Sequence, residues 1–425
     1  MNPTRIPAAL AALALATAAH AAHWPHFRGP NYNGSTDGKN LPVQFSKTEG
    51  TVWTADLPGE SAATPAVWGD HVFVVSANPA EQCVQAMAFD RKTGKLLWSH
   101  KLGDGIRKDR NSTFASSSPV TDGKLVVFQS GNGPVAAFDF AGKQAWSRNL
   151  TTDYGAFFQE GWTYSTSPLL YGGKLYIQNL RRKDPYLLAM DPATGKELWR
   201  VVRDGKAVAE SRDGFASPVP IEFKGRKELL IIGSDDITGH DPGTGRELWR
   251  WGTWNPTRIG HWRHVPCAAF ADGIILACAP KRSPIYAIKA GLSGTQDDSC
   301  IAWQSPGGSA ISSDVPTPLT YLNEFFVLSE GGSLSRVEPR TGTAKWTVKV
   351  PSKGAVQASP TGADGRIYFM DFSAQVFVVD ANDGKLLATN PMGEQGDTMT
   401  RSAVAVSQGQ LFIRTNSKLY CVAKN

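Results

Sequence analysis

Five cysteines among 425 residues are too few to staple a fold, so a disulfide scaffold is excluded. The formal net charge is only +6, and no Lys/Arg block stands out, which leaves a nucleic-acid partner without support. Charged residues make up 19% of the chain against 42 Gly and 27 Pro. That balance excludes coiled coils and helical bundles, which need charged helix formers and few breakers. Beyond the amino terminus no apolar run is long enough to span a bilayer, so no transmembrane segment is expected. There is no Asp-x-Asp-x-Asp-Gly loop for Ca²⁺ and no C-x-x-C-H for haem.

What is present begins with an apolar run of small residues, Ile6 to Ala19, behind Arg5 and ahead of Ala19-His20-Ala21. A short apolar core with a basic flank and a small-x-small site is the pattern of a secretory signal peptide. Residues 1–21 are therefore assigned to a leader cleaved near Ala21, residues 22–50 to an extended lead-in, and residues 51–425 to one domain. No cysteine lies near the cut. The expected product is exported, periplasmic or extracellular, not a lipoprotein, and a monomer.

The rest of the chain is a repeat. An opening pattern, Ser or Thr followed by Pro, an apolar pair, Asp-Gly or its equivalent and a β-branched or aromatic run, recurs at Thr64-Pro65, Ser118-Pro119, Ser167-Pro168, Ser217-Pro218, Thr317-Pro318 and Ser359-Pro360. Val265-Pro266 is a weaker copy, and Arg401-Ser402-Ala403-Val404 keeps the register without its proline. A closing pattern sets an Asp-headed, Gly-bearing turn before a Trp, as in Asp90 to Gly94 with Trp98. The closing tryptophans are Trp98, Trp146, Trp199, Trp249, Trp303 and Trp346, expected to dock each blade on its neighbour; an insertion at Gly291–Asp298 precedes Trp303, and Ala388 stands where another Trp is due.

Each opening predicts strand, hairpin turn, strand; each closing predicts two more strands. Four antiparallel strands per unit make a propeller blade, and Thr51–Ala423 divides among eight units at roughly 47 residues each. The eighth unit ends before its fourth strand, while Thr51-Val52-Trp53-Thr54 is a Trp-bearing strand with no opening before it. The expected fold is an all-β, eight-bladed propeller in which Trp53 supplies the last blade's outer strand and closes the ring, removing open sheet edges.

These motifs resemble the pyrroloquinoline-quinone-binding-like, or quinoprotein-type, β-propeller repeats, and the entry segment His23-Trp24-Pro25-His26-Phe27-Arg28-Gly29-Pro30 is similar to the start of secreted bacterial members. More distantly the chain resembles the periplasmic propeller scaffold of the outer-membrane protein assembly machinery. The enzymatic branch clamps its quinone between a Trp and a disulfide of adjacent cysteines, with carboxylates holding Ca²⁺. Cys83, Cys267, Cys278, Cys300 and Cys421 include no adjacent pair, so no catalytic residue is carried over. The resemblance implies a non-catalytic binding or protein-interaction scaffold with no cofactor expected. A pyrroloquinoline-quinone-dependent dehydrogenase using Ca²⁺ is the alternative, and a polysaccharide-binding or degrading accessory module the second.

Polar residues just ahead of each opening should reach the rim of the central channel. Arg110, Asn111, Trp162, Tyr164, Arg212, Asp213, Arg263, His264, Ser313, Asp314 and Arg401 are therefore candidates for a shared mouth, or for inter-blade hydrogen bonds. The arginines favour an anion, carboxylate or sulfate, if a ligand enters; the partner is otherwise an unknown protein or a carbohydrate. Trp251, Trp254, Trp262, His261 and His264 crowd one loop, whose rings either stack on sugars or tuck between blades. Asp235, Asp236, Asp297, Asp298 and Asp371 read mainly as solvated turn carboxylates. Cys267 and Cys278 flank Asp272-Gly273 symmetrically, as a cross-strand disulfide or as two small buried residues.

Overall fold

The computed structural model describes residues 23–157 and 162–424; the leader assigned to residues 1–21 lies outside them. Eight sheets form eight blades, and the described helical structure amounts to short turns such as Leu150–Tyr154. In the first blade the strands Ala66–Trp68, His71–Asn78, Cys83–Asp90 and Leu96–Asp104 pair antiparallel in chain order. The eighth blade takes Ala405–Ser407, Gln410–Arg414 and Lys418–Ala423 from the carboxyl end and Thr51–Asp56 from the amino end. Trp53 opposes Cys421 and Thr54 opposes Tyr420 in that last pairing, so the two ends of the domain lock each other. Hairpins such as Asp272-Gly273 and Asp364-Gly365 hold positive φ at both turn residues, the conformation whose twist matches the flanking strands.

Tryptophan joins one blade to the next. A Cβ at Gly94 would come within 2.5 Å of the Trp53 indole, and one at Gly142, Gly195, Gly342 or Gly384 within 2.8 Å of Trp98, Trp146, Trp303 or Trp346. Each closing turn thus needs glycine twice, for a positive φ and for the flat ring lying on it. The indole N–H then donates to a carbonyl of the same turn: Trp53 to Arg91 at 2.7 Å, Trp98 to Phe140 at 3.0 Å, Trp146 to Pro192 at 2.8 Å, Trp303 to Pro339 at 2.7 Å and Trp346 to Asn382 at 3.0 Å. Trp199 covers Gly245 in the same way, with its buried N–H unbonded.

Trp249 departs from the pattern: the fifth blade's Gly291 faces the Phe223 ring instead. Its N–H goes to Glu228 Oε2 at 2.6 Å within its own blade. The insertion in the fifth blade instead sends Gly294–Thr295 back as a fifth, parallel strand on the fourth blade's outer edge.

Around the channel the opening residues form a belt of hydrogen bonds. Each backbone amide donates to the side chain of the next opening residue: Thr64 to Ser118, Ser118 to Ser167, Ser167 to Ser217, Ser217 to Cys267, Cys267 to Thr317 and Thr317 to Ser359, at 2.9–3.1 Å. Ala403 N closes on Thr64 Oγ1 at 3.2 Å, and the one gap falls where Ala403 has no side-chain acceptor for Ser359. The belt corrects the fifth opening: its residue is Cys267, two positions after the Val265 chosen from the proline. Cys267 and Cys278 are both free and buried, the second of the two readings open for them.

The lead-in is not a free extended segment. Trp24 bridges Val67 of the first blade, Pro25 O accepts from Thr121 N of the second, and Asn33 O and Gly362 O tie the strand's far part to the sixth and seventh. Arg28 is buried beneath the channel, donating to Asn33 O and Pro318 O at 3.0 Å. Farther on, Asn390 clasps Phe45 N and Val43 O at 3.0 Å, so the lead-in packs on the seventh blade beside Ala388, where the docking Trp is missing.

Candidate functional site

The channel is a blind funnel. Its outer part encloses about 240 Å³ and is lined by Asn111, Trp162, His261, Arg263, Lys281, Asp314, Glu330, Gln357 and Arg401 among others. It narrows to about 100 Å³, walled by belt residues and ending on Phe27 of the lead-in. Two residues ahead of each belt residue stands a ring of eight side chains, one per blade: Ala62, Ser116, Ser165, Phe215, Val265, Val315, Gln357 and Arg401. The ring and most of the belt residues line the same cavity.

Arg401 is the ring's one charge. Its Nε donates to Gln357 Oε1 at 2.9 Å and its Nη1 to Asn111 O. Gln357 Nε2 in turn donates to Glu330 Oε1, so a neutral amide separates the guanidinium from that carboxylate. Burial pulls Arg401 down to about 10, partly offset by Asp109 and Glu330. Burial likewise raises Glu330, against the hydrogen bond from Gln357. On the facing rim Arg263 lies 4.1 Å over the Trp162 ring and pairs with Glu210. Asp314 Oδ1 accepts from Arg282 N at 2.6 Å.

Five of the sequence candidates thus share one mouth: Asn111, Trp162, Arg263, Asp314 and Arg401. The others do not. Arg110 is exposed outside the lining, and Arg212 pairs with Asp204 at 2.8 Å. Tyr164 turns into the third blade, where its hydroxyl donates to Gln178 O at 2.7 Å. Ser313 is buried and donates to Pro316 O at 2.5 Å. Asp213 is buried against Arg182 at 3.4 Å, and burial lifts it to about 6. His264 is buried and stacked on Trp254, with ring centroids 4.6 Å apart, and burial depresses it to about 3.

Trp251, Trp254 and Trp262 are buried as well, Trp254 donating to Asp235 O at 2.6 Å, so the aromatic loop tucks between blades and offers no sugar-stacking face. Asp371 caps its own turn through Ser373 N and Gln375 N at 3.0 Å, and Asp297 caps Ser299 N at 3.0 Å. Sequence reading missed Lys281, Glu330 and Gln357. The first two sit in turns between second and third strands, which point to the same face as the inter-blade connections because strand direction alternates.

Among the described residues no three His, Cys, Asp or Glu side chains converge to hold a metal ion. With no adjacent cysteine pair, the chain lacks the disulfide clamp that the resemblance describes. No Ser or Cys of the lining is hydrogen-bonded to a histidine among those residues.

Comparison with known proteins places these features. The family model described as outer membrane protein assembly factor BamB matches residues 31–159, 88–257 and 233–425. Tetrathionate hydrolase of Acidithiobacillus ferrooxidans is 32% identical over 164 residues, covering 35% of this chain and 30% of that protein. The chain thus spans under a third of that relative's length. Outer membrane protein assembly factor BamB of Shewanella oneidensis is 23% identical over 321 residues, 72% of each chain. Among solved structures, a europium-containing methanol dehydrogenase superposes with a TM-score of 0.70 at 11% identity, covering 96% of this chain and 99% of that one. At that identity the likeness concerns the fold alone.

Proposed function

Because the chain belongs to the family described as outer membrane protein assembly factor BamB, we propose that it is an exported, non-catalytic propeller that binds a partner or ligand at its funnel mouth. The observation that carries this reading is how four of the mouth's ionisable groups are held. Arg401 is tied to Asn111 and Gln357, Glu330 to Gln357, Arg263 to Glu210 and Asp314 to a backbone amide. Charges fixed in this way suit holding and orienting a bound group. Export is supported by Arg5, the Ile6–Ala19 run and Ala19-His20-Ala21. No described helix is long and apolar enough to cross a membrane.

The test is a photo-crosslinking residue at Ser112, on the rim, compared with one at Leu198, on an outer strand, in exported protein. A discrete adduct with an outer-membrane assembly component from Ser112 alone is the expected result. Near-stoichiometric binding of pyrroloquinoline quinone with Ca²⁺, accompanied by dye reduction with an alcohol, would replace the scaffold reading by the dehydrogenase one.

A further inference from the structure

The ring at the funnel's neck is not uniform around its circumference. Blades four to six contribute Phe215, Val265 and Val315, a contiguous apolar arc. Blades seven and eight contribute Gln357 and Arg401, and blades two and three Ser116 and Ser165, with only Ala62 between them. Arg401 and Phe215 are four blades apart in a ring of eight and therefore face each other across the channel. We propose that the neck takes a carboxylate attached to an apolar body, the carboxylate on Arg401 and the body against Phe215, Val265 and Val315. The assignment rests on the reading of the mouth as a binding site and names its ligand class.

Two features carry the charge and the polarity. Arg401 Nη2 makes no hydrogen bond among the described residues, while Nε and Nη1 are occupied, so the guanidinium is fixed in place with donor capacity to spare. A desolvated guanidinium held by neutral partners favours an anion, and its planar fork suits a carboxylate. A single carboxylate suits the neck better than a polyanion, because Arg401 is the ring's one cation and Asp314 and Glu330 offset Arg263 and Lys281 on the rim above it. A cation meets Arg401, and a fully polar sugar gains nothing from the apolar side chains of Val265 and Val315. The volume of about 240 Å³ above the neck suits a small acid or one terminal residue of a chain, and Phe27 closes the far end.

The carboxylate can come from a free acid or from a polypeptide's carboxyl terminus, and titration calorimetry on the mature chain separates them. Hexanoate and benzoate probe the free acid, acetate the charge without a body, and hexanol the body without a charge. A tripeptide ending in Phe, as free acid and as amide, probes the second source. Saturable one-to-one binding of hexanoate or benzoate, weakened about tenfold or more in acetate and hexanol, is expected. Arg401→Gln should abolish it and Arg401→Lys retain part, with melting temperature confirming that each variant folds. Val265→Asp should weaken hexanoate more than acetate. If only the free-acid tripeptide binds, the ligand class stands and the source is a chain terminus. Equal affinity in Arg401→Gln, equal binding of acetate and hexanoate, or no saturation by any probe at millimolar concentration would overturn the proposal. Rim crosslinking from Ser112 that persists in such a case leaves the scaffold reading intact, so the two failures are distinguishable.

Discussion

The amide of Ser217 donates to the sulfur of Cys267 at 3.1 Å, in a belt where the corresponding acceptor is otherwise a Ser or Thr oxygen. Sulfur is the weaker acceptor, so Cys267→Ser restores the pattern of the other blades. We expect it to unfold in urea at the wild-type midpoint or above. Cys267→Ala leaves a half-buried amide without that partner and should cost about 1 kcal/mol. All five thiols should react with a thiol reagent after denaturation without reductant; fewer would mean that a disulfide forms.

The closing-turn glycines permit a graded test of inter-blade docking. At Gly94 an added methyl meets both a positive φ and the Trp53 ring at 2.5 Å, on the seam where the chain ends join. Gly94→Ala should therefore cost about 2–4 kcal/mol, combining left-handed strain with overpacking. Gly365 has a similar φ and nothing within 4 Å of the added carbon. Its alanine variant should pay the strain alone, about 1–2 kcal/mol. Equal losses in urea unfolding would show that the ring contact adds nothing.

The architecture was readable because it is periodic: the Asp-to-Trp closings at fixed spacing and the orphan Trp53 strand together define the ring. The funnel was readable only in part. Arg401 could be found because it lies two positions before an opening, but Phe215 and Val315 hold the same offset and are apolar, so a search for polar residues passes over them. In the fifth blade Pro266 drew the register two residues early, onto Val265, because proline marks strand starts and Cys267 is not followed by one. His264 and Tyr164 were selected for their chemistry; their direction is set by packing that the repeat does not encode.

Two buried carboxyls give stability a dependence on pH. Burial raises Asp213 and Asp235 to about 6, opposed by Arg182 at the first and by the Asn255 hydrogen bond at the second. Unfolded, each titrates near 4. Between about pH 4 and 6 the folded chain therefore holds protons that the unfolded chain has lost, and stability falls as pH rises through that window. His26 and His264, both depressed to about 3 by burial, slope the opposite way below their ordinary value. The difference between wild type and Asp213→Asn/Asp235→Asn cancels the histidines. The double variant should match wild type near pH 3 and exceed it at pH 7.5, by up to about 3 kcal/mol per site. A pH-independent difference in urea unfolding would refute the assignment.

Trp146 and Trp199 separate the two contributions of a docking indole. Both rings lie on a closing-turn glycine, 2.6 Å from where its Cβ would be. Trp146 also donates to Pro192 O at 2.8 Å, while the Trp199 N–H is buried without a partner. Replacing either by Phe removes similar ring area and leaves a similar void. Trp146→Phe additionally loses a made hydrogen bond, whereas Trp199→Phe removes a donor whose desolvation was already uncompensated. The first should therefore cost more than the second, by about 1–2 kcal/mol in urea unfolding. If the two are equal, the area of ring on glycine holds the blades together, and the N–H to carbonyl bond adds no measurable strength.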